Sequence, residues 1–420
     1  MYPNNSDYLF NQYEDRLNTA RKKYELGELS NLSDQFPLAP LSPIDEARYK
    51  KANSSCLYFS DKVQKDGIAD ILLIGDVMCR YEQQKSAIEK YGLFDFRDMF
   101  PYVTPLIARH DFVACNLETT LAESAKYTYE LNRNDHTLNR NSPSTLLHAV
   151  RELGVDLTVT ANNHCLDGGL KGIYQTICHL EQYQLLHTGT FFDLADRKSR
   201  PFLLVDIDGI KVAFVSYTYG TNHRSEKIEK AARRYFVNLY RPKRAEKDIS
   251  LARAAGAEFV VAYIHWGVEF SHNISEKQFV WAKELADAGA DFIAGSHPHV
   301  VEPFSYVENA RGQKVPVIFS MGNFISSMAR PERRDSVAIN LQLERKNNRI
   351  QIKAMEYIPF YTCISYEQKS YTTVPLSDKL CEENPELREA KNRIALHIGR
   401  EIEESSLTRK KPLIRPTDNR

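Results

Sequence analysis

Short apolar runs alternate with longer amphipathic runs from Asp70 onward, and this limits the chain to a small set of folds. The strand-like runs are "ADILLIG", "DFVACN", "VDLTVTA", "EFVVAYIHW" and "DFIAGS". The helix-like runs between and around them are "DFRDMFPYVTPLIARH", "SPSTLLHAVRELG", "GGLKGIYQTICHLEQY", "KRAEKDISLARAAGA" and "SEKQFVWAKELADAGA". Repeated units of this kind predict an α/β protein in which helices cover a central sheet.

Three further segments read as hairpins. "RPFLLVDIDGIKVAFVSY" has Asp-Gly at its middle, between two apolar runs, which is a strong signal for a tight turn. "EPFSYVENARGQKVPVIFSMGNF" and "SVAINLQLERKNNRIQIKAMEYI" also carry polar turn residues between two strand-like halves. The sequence therefore favours a mixed sheet, or two facing sheets with helices outside, over a purely parallel sheet.

Composition excludes several classes of protein. The 420 residues include 55 Lys and Arg and 55 Asp and Glu, so no overall field attracts nucleic acid or an anionic membrane. There is no run of 18 apolar residues and no signal-peptide pattern, which predicts a cytoplasmic protein without a transmembrane segment. The seven cysteines are scattered without a C-x-x-C pair, so we expect reduced thiols.

The chain divides into three predicted parts. Residues 1–65 form an N-terminal extension, residues 66–365 the main domain, and residues 366–420 a C-terminal helical segment with a basic tail. In the last part, "ELREAKNRIALHIGREIEE" has the spacing of an amphipathic helix that docks on the domain.

Five strand-like runs end in residues that can bind a metal ion or move a proton. They end at Asp76, at Asn116 and Glu118, at Asn163 and His164, at His265 and Glu269, and at His297 and His299. The carboxyl ends of strands share one edge of an α/β sheet, so these groups are expected to meet there.

The chemistry of this set points to a divalent ion. Carboxylate, imidazole and amide oxygen together suit manganese, iron or zinc better than calcium. In "HPH", an extended backbone would place His297 and His299 on the same side. A pair of such ions can activate water and hold the oxygens of an ester, while an imidazole outside the ligand set protonates the leaving group.

The motifs "GDVM", "NLE", "ANNHCLDGG", "HWGVE", "GSHPHVVEP" and "SMGNFI" occur in that order. They resemble the successive motifs of the poly-gamma-glutamate capsule biosynthesis (CapA) family, whose domain is similar to the calcineurin-like metallophosphoesterases. "SYTYGTN" and "RRDS" are also similar to family segments, and the resemblance covers roughly residues 68–345. It implies a four-layer α/β/β/α sandwich of metallophosphoesterase type, two mixed sheets flanked by helices, with the site at the sheet edge.

The resemblance also implies roles for individual residues. By position, His164 takes the role of general acid, and Asp167 orients His164 or its loop. The metal-ligand roles fall to Asp76, Glu118, Asn163, His265, His297 and His299.

This chain departs from the metallophosphoesterase pattern at two positions. Met78 stands where those enzymes have the His of Asp-x-His, and Asn116 and Glu118 stand where their second motif has Asp. A thioether is a poor ligand for these ions, so we expect one weakened metal site. The centre would then hold either one ion or one firm and one exchangeable ion.

Further residues are candidates for substrate contacts. Arg80 and Arg334 can neutralise an anionic substrate, or alternatively pair with local carboxylates. Tyr219 and Asn222, in the loop "YTYGTNH", and Glu269 are also assigned to the substrate.

Other residues near the proposed ligands have different expected roles. Trp266 is expected to form a wall of the pocket. Gly322 and Asn323 are expected to let two backbone segments approach. The alternative of a thiolate-bound zinc would use Cys79, Cys115 or Cys165, although buried cysteines more often serve as small apolar residues.

The leading hypothesis is a metal-dependent hydrolase of the CapA type, acting on a phosphoester or a gamma-glutamyl amide in capsule polymer synthesis or processing. Its partner would be an anionic small molecule or polymer. Two alternatives stay open: a non-catalytic accessory protein of polymer synthesis or export, and a soluble phosphodiesterase unrelated to capsule.

Overall fold

The computed structural model describes residues 57–59, 67–131, 139–222 and 235–409. Apart from the strand at 57–59, the predicted N-terminal extension lies outside the described residues, and so does most of the basic tail. Within the described part of the chain, no helix has both the length and the apolar character needed to cross a bilayer.

In the described residues, seven strands form the first sheet. Its strands are β1 (Leu57–Phe59), β6 (Leu203–Ile207), β7 (Ile210–Thr218), β8 (Phe259–His265), β9 (Phe292–Ser296), β10 (Phe304–Glu308) and β11 (Lys314–Ile318). They lie in the order β1-β6-β7-β8-β9-β11-β10, and β7, β8 and β9 are parallel.

The second sheet has nine strands in the described residues. They are β2 (Ile68–Val77), β3 (Phe112–Leu117), β4 (Leu157–Val159), β5 (Leu186–Thr188), β12 (Asn323–Ile325), β13 (Asp335–Lys346), β14 (Arg349–Ser365), β15 (Ser370–Pro375) and β16 (Glu403–Glu404). The main order is β15-β14-β13-β2-β3-β4-β5, with β12 paired to β2 and β16 to β14. Since β13 runs antiparallel to β2 whereas β3 runs parallel to it, the sheet is mixed.

The two sheets face each other across an apolar core. The rings of Phe112 and Phe214, one from each sheet, have centroids 5.1 Å apart. The Tyr263 hydroxyl on β8 donates a hydrogen bond to the Ala114 carbonyl on β3 at 3.0 Å. These contacts fix the β3 and β8 ends against each other, and that is where the candidate site lies.

Helices cover the outer face of each sheet and complete four layers. In chain order the helices of the described residues are α1 (Tyr81–Tyr91), α2 (Thr104–Ile107), α3 (Leu146–Glu152), α4 (Gly169–Gln182), α5 (Leu194–Ser199), α6 (Pro242–Ala254), α7 (Glu276–Ala288), α8 (Asp378–Glu383) and α9 (Pro385–Ile398), of which α8 and α9 pack on the core between the sheets. Residues of α1, α3 and α4 pack on the nine-stranded sheet, and residues of α6 and α7 pack on the seven-stranded sheet. The predicted α/β/β/α sandwich is confirmed.

The predicted hairpins are confirmed as antiparallel pairs. β6 pairs with β7 through a turn in which Asp208 and Gly209 have φ values of 50° and 79°. β13 pairs with β14 through Asn347 and Asn348, at 52° and 58°. Positive φ at both central residues is the turn that suits the twist of a hairpin, and β10 and β11 pair in the same antiparallel sense.

One predicted helix is wrong. The run "DFRDMFPYVTPLIARH" contains only a three-residue 3₁₀ turn at Arg97–Met99 and the single turn α2. Pro101 lies between the two, and Pro105 lies in the first turn of α2, where proline is tolerated. The helix that follows β2 is α1, whose buried face includes Gln83 and Gln84. A helix that buries amides lacks the apolar periodicity by which sequence reasoning detects helices.

The predicted C-terminal amphipathic helix is confirmed as α9, which docks on β13 and β14. Its buried residues join the core between the sheets, and they are Leu387, Ala390, Ile394 and Ile398. β15 and β16 also extend the nine-stranded sheet, so this segment shares a core with the strands before it. The domain boundaries at residues 65 and 365 stay predictions.

Gly75 allows the close approach that positions Asp76. A Cβ atom at residue 75 would lie 2.2 Å from the carbonyl oxygen of Gly322, the same oxygen that accepts from the Asp76 amide at 3.0 Å. We therefore expect Gly75→Ala to lower the free energy of unfolding by about 1–3 kcal/mol, measured by urea denaturation. Gly220→Ala is the matched control, since its Cβ would meet nothing within 4 Å. Equal denaturation midpoints for the two variants would contradict the steric account.

Candidate metal centre

The carboxyl ends of strands from both sheets converge at one buried site. Asp76 lies near the end of β2, Glu118 follows the last residue of β3, and His265 is the last residue of β8. Each of these three side chains is at most 1% exposed. The convergence follows from the two sheets facing each other with these ends side by side.

The Glu118 carboxylate lies at the centre of the cluster. Its Oε1 atom is 3.6 Å from the Nε2 of His265, 3.7 Å from the Nε2 of His299 and 4.0 Å from the Nε2 of His164. Three imidazole nitrogens thus surround one carboxylate oxygen, each too far for a hydrogen bond.

Asp76 is a second buried carboxylate of the cluster. Its Oδ1 accepts a hydrogen bond from the Asn116 side-chain amide at 2.7 Å, and its Oδ2 accepts from the His297 backbone amide at 3.3 Å. The same Oδ2 lies 3.7 Å from the Nδ1 of His299. Asp76 is therefore held by one strand neighbour and by the loop that carries the two histidines.

Asn163 and His265 present their ligand atoms to each other. The Oδ1 of Asn163 is 3.0 Å from the Nε2 of His265. The other ring nitrogen of His265, Nδ1, lies 2.9 Å from the Ser296 hydroxyl, which fixes the ring orientation. Two donor atoms that each lie about 2.1 Å from one ion are about 3–3.5 Å apart, so this pair has the spacing of two ligands on one ion.

Unsatisfied buried groups indicate that the cluster accommodates a cation. Within the described residues, neither Glu118 oxygen has a hydrogen-bond partner, and the same holds for the Nδ1 of His297. Two overlapping groups, Asp76–Glu118–His265 and Glu118–His297–His299, have ligand atoms within 4.8 Å of one another. Buried carboxylates without partners are costly unless a positive charge compensates them, so the donor set fits one or two divalent ions.

The protonation tendencies of these groups are explained by burial. Burial raises the pKa of Asp76 to about 6, and burial together with the Asp76 charge raises the pKa of Glu118 well above its usual value. Burial and, to a smaller extent, neighbouring imidazoles lower the pKa of His297 to about 3 and those of His265 and His299 well below their usual value. Neutral imidazole is the form that binds metal ions.

His164 and Asp167 form a separate pair at the edge of the cluster. The Nδ1 of His164 is 2.6 Å from the Oδ2 of Asp167, and the His164 amide donates to the Asn162 side chain at 3.1 Å. A carboxylate at Nδ1 fixes the ring tautomer and leaves Nε2 toward Glu118. The expected role of Asp167 in orienting His164 agrees with this contact.

The predicted geometry of "HPH" is wrong, although both imidazoles reach the cluster. β9 ends at Ser296, and His297 and His299 have φ values of 101° and 60° rather than extended values. Positive φ is costly for residues other than glycine and persists only where surrounding contacts enforce it. Here the Nδ1 of His299 lies 2.9 Å from the Oδ1 of Asn323, which supplies one such contact.

Sequence reasoning missed several residues that orient the cluster. Asn162 donates to Asn116 at 3.2 Å and to the Leu117 carbonyl at 2.8 Å, and Ser296 contacts His265. Asn323, expected only to allow backbone approach, also holds His299. Gly322 has the expected role, since a Cβ there would lie 2.5 Å from the Asp335 carbonyl oxygen. The motifs "ANNH" and "MGNF" contained the signal, because amides at strand ends often orient imidazoles.

The candidate substrate residues divide into two groups. Tyr219 lies beside the cluster, with its ring centroid 4.7 Å from that of His297, and Asn222 accepts a hydrogen bond from Asn163 at 3.4 Å. Arg80 and the exposed Glu269 interact electrostatically with each other, and Arg80 also with Glu118.

Arg334 is not brought to the cluster by its side-chain contacts. Its guanidinium donates to Glu386 on α9 at 2.9 Å and lies over the Tyr361 ring, 4.8 Å from the centroid. Arg334 therefore pairs with a local carboxylate, which is the second of the two roles expected for it.

The structure also bears on the expected roles of Trp266 and of the cysteines near the cluster. Trp266 is not a pocket wall: it is 1% exposed, its indole donates to the Phe319 carbonyl at 2.8 Å, and it packs in the core under α6 and α7. The metal-ligand groups found among the described residues include no cysteine. Burial raises the pKa of the Cys165 thiol to about 12 and raises those of Cys79 and Cys115 further, which disfavours thiolate binding.

The family can be assigned from a sequence comparison. Residues 70–328 match the family model described as "Bacterial capsule synthesis protein PGA_cap". The chain belongs to the PGA_cap family. This confirms the resemblance drawn from the ordered motifs, and the matched residues include every candidate in the cluster.

Two named relatives of this PGA_cap chain come from Bacillus. It is 27% identical over 274 residues to "Capsule biosynthesis protein CapA" of Bacillus anthracis, covering 64% of this chain and 63% of that protein. It is 23% identical over 290 residues to "PGA biosynthesis protein CapA" of Bacillus subtilis strain 168, covering 68% and 70%. The chain thus spans somewhat under two thirds of the Bacillus anthracis relative.

Among solved structures, the calcineurin-like phosphoesterase YfkN from Bacillus subtilis aligns at 13% identity with a TM-score of 0.42. The alignment covers 77% of this chain and 99% of that chain. The fold class of the PGA_cap chain rests on its own two sheets and two helical layers.

Glu302, in the PGA_cap motif "GSHPHVVEP", has a structural environment of its own. It is fully buried, its Oε2 accepts from the Gln278 side chain at 2.6 Å, and burial raises its pKa to about 8. A carboxyl whose folded pKa exceeds its ordinary 4.5 stabilises the fold below pH 4.5, and that stabilisation is lost as the pH rises toward 8. Glu302→Gln is therefore expected to reduce the loss of stability between pH 5 and 8, by on the order of a few kcal/mol at pH 8.

Urea denaturation of both proteins across that pH range measures the effect. Parallel stability curves for Glu302→Gln and the parent protein would contradict it.

Proposed function

We propose that this chain is a divalent-metal-dependent hydrolase acting on a phosphoester or a gamma-glutamyl amide, in the synthesis or processing of a capsule polymer. The observation that carries the proposal is the Glu118 carboxylate, fully buried, without a hydrogen-bond partner in the described residues, and surrounded by three imidazole nitrogens. The names of the Bacillus relatives support the link to poly-gamma-glutamate.

The residues that would hold manganese, iron or zinc, as one or two ions, share the buried strand-end position. They are Asp76, Glu118, Asn163, His265, His297 and His299. A divalent ion, when bound, supplies Lewis acidity that lowers the pKa of water and polarises a phosphoryl or acyl oxygen. Met78 adds no strong ligand to this set, which favours one firmly held ion.

The protein's own side chains would do the remaining work. His164 would donate the Nε2 proton to the departing oxygen or nitrogen, with its ring held by Asp167 at 2.6 Å. Tyr219 and Asn222 border the cluster and, together with Glu269, would orient the substrate. Arg80 would neutralise its negative charge.

Metal removal tests the proposal. The purified full chain is expected to contain manganese, iron or zinc by elemental analysis and to hydrolyse a bis-aryl phosphodiester or a gamma-glutamyl peptide. Chelation should abolish hydrolysis, and added manganese or zinc should restore it. Protein that binds no metal and stays inactive after reconstitution would contradict the hydrolase and favour a non-catalytic accessory role.

A further inference from the structure

Arg140 is anchored between the two functional parts of the site. Its backbone amide donates to the Oδ2 of Asp167 at 2.5 Å, on the carboxylate that holds His164. Its carbonyl accepts from the Thr120 amide at 2.9 Å, two residues after Glu118. Arg140 thus extends from a backbone position fixed to both the acid pair and the ligand cluster.

Arg80 starts from the neighbouring backbone segment. The Ser142 hydroxyl donates to the Cys79 carbonyl at 3.0 Å, and the Gln84 side-chain amide donates to the carbonyls of Cys79 and Asn141, both at 3.0 Å. These bonds hold Cys79, the residue before Arg80, beside Asn141 and Ser142, the residues after Arg140. The charge of Arg140 contributes to lowering the pKa of Arg80, and the charges of Glu118 and Glu269 act on both guanidinium groups.

Both guanidinium groups lack the ion pairs that other sheltered arginines make. Arg197 lies 2.6 Å from Asp248, and Arg393 lies 2.8 Å from Asp335. Among the described residues, no carboxylate oxygen pairs with Arg80 or Arg140 within 4.0 Å, and the buried Nε of Arg140 has no hydrogen-bond partner. The Nη1 of Arg140 donates to the Asn139 carbonyl at 3.2 Å. Two largely buried cations without ion pairs leave their remaining donors available to an external anion.

The pKa values of the two guanidinium groups also favour an anion-binding role. Burial, and then the Arg140 charge, lower the pKa of Arg80 to about 10, and burial lowers the pKa of Arg140. Each cation would therefore be stabilised by an incoming negative charge.

We propose that Arg80 and Arg140 together form an oxyanion-binding site beside the ligand cluster. The site takes a carboxylate or phosphoryl oxyanion of the substrate, next to the bond that is cleaved. This inference rests on the proposed function and narrows its substrate class to molecules with a negative group at that place. Arg140 then acts as a specificity residue, since a planar guanidinium matches two oxygens of one anion.

Calorimetric titration of the full chain, loaded with manganese, tests the site with inorganic phosphate and with tri-gamma-glutamate. Arg140→Gln is expected to raise the Kd of at least one probe roughly 10- to 100-fold. Arg140→Lys should recover part of that loss, because lysine keeps the charge but not the two-pronged geometry. Arg311→Gln, an exposed position between β10 and β11, is the matched control and should bind as the parent does.

The possible outcomes distinguish the proposed hydrolase function from the oxyanion-binding site. Parent protein that holds no metal would contradict the proposed function. Parent protein that holds metal, with Arg140→Gln binding both probes at the parent Kd, would overturn the oxyanion site alone. If Arg140→Gln lost metal or melted earlier than the parent, the Kd values of Arg80→Gln for the two probes would be compared with those of the parent instead. Unchanged Kd values would then overturn the oxyanion site. A loss for phosphate only would assign the site to a phosphoryl group, and a loss for tri-gamma-glutamate only would assign it to a carboxylate.

Discussion

Glu118→Gln is expected to abolish metal binding and, at the same time, to stabilise the metal-free protein. Glutamine keeps the shape of the side chain but removes the charge from the centre of the cluster, where Oε1 faces the nitrogens of His265 and His299 at 3.6 and 3.7 Å. Metal affinity should fall by more than the roughly 10- to 100-fold that loss of an outer partner costs. Without metal, an uncompensated buried carboxylate destabilises a fold, so its removal should raise the free energy of unfolding by on the order of 3 kcal/mol.

Two measurements check this expectation. Elemental analysis after dialysis reports metal content, and urea denaturation in the presence of a chelator reports stability. Glu246→Gln is the control for the same chemical change, since Glu246 is exposed on α6. Metal content in Glu118→Gln equal to that of the parent would show that the carboxylate is not a ligand.

His164→Ala is expected to slow hydrolysis of esters with poor leaving groups while keeping the metal. General acid catalysis contributes typically 10²–10⁴-fold, and it matters most when the leaving group is a poor one. Hydrolysis of a phenyl phosphodiester should therefore fall by roughly that factor. Hydrolysis of the corresponding p-nitrophenyl ester should fall much less, because p-nitrophenolate departs without a proton.

The comparison of the two esters distinguishes an acid from a ligand. His179→Ala is the control, because His179 also pairs with a carboxylate, Glu123 at 2.8 Å, but on the outer helix α4. Equal losses on both esters would argue against proton donation by His164. Loss of metal would instead place His164 among the ligands, as its 4.0 Å distance to Glu118 allows.

The sequence predicted that the candidate ligands lie together because one physical rule governs their placement. Strands whose carboxyl ends share a sheet edge bring their end residues together, and this holds for Asp76, Glu118 and His265 whatever the details of the loops. The four layers were predictable for a related reason. When apolar strands alternate with amphipathic helices, few other arrangements bury the apolar surfaces of both.

The parts that sequence reasoning missed depend on contacts between distant residues. Asn323 holds His299 from 24 residues away, and Ser296 holds His265 from 31 residues away, so neither role is visible in local pattern. Trp266 follows the candidate ligand His265 in the chain. Adjacent residues at a strand end point to opposite faces of the sheet, so the Trp266 side chain lies in the outer core. Arg140 follows no strand-like run, and only the bonds to Asp167 and Thr120 reveal its place.

The pairing of β2 with β13 ties the strand that carries Asp76 to residues that come much later in the chain. The strand that carries Asp76 gains this neighbour only from residues 335–346, after the segment that matches the family model, and α9 closes the sheet interior later still. A chain that stops near residue 330 would therefore carry all the candidate ligands, and its β2 would keep β3 and β12 as neighbours but lack β13.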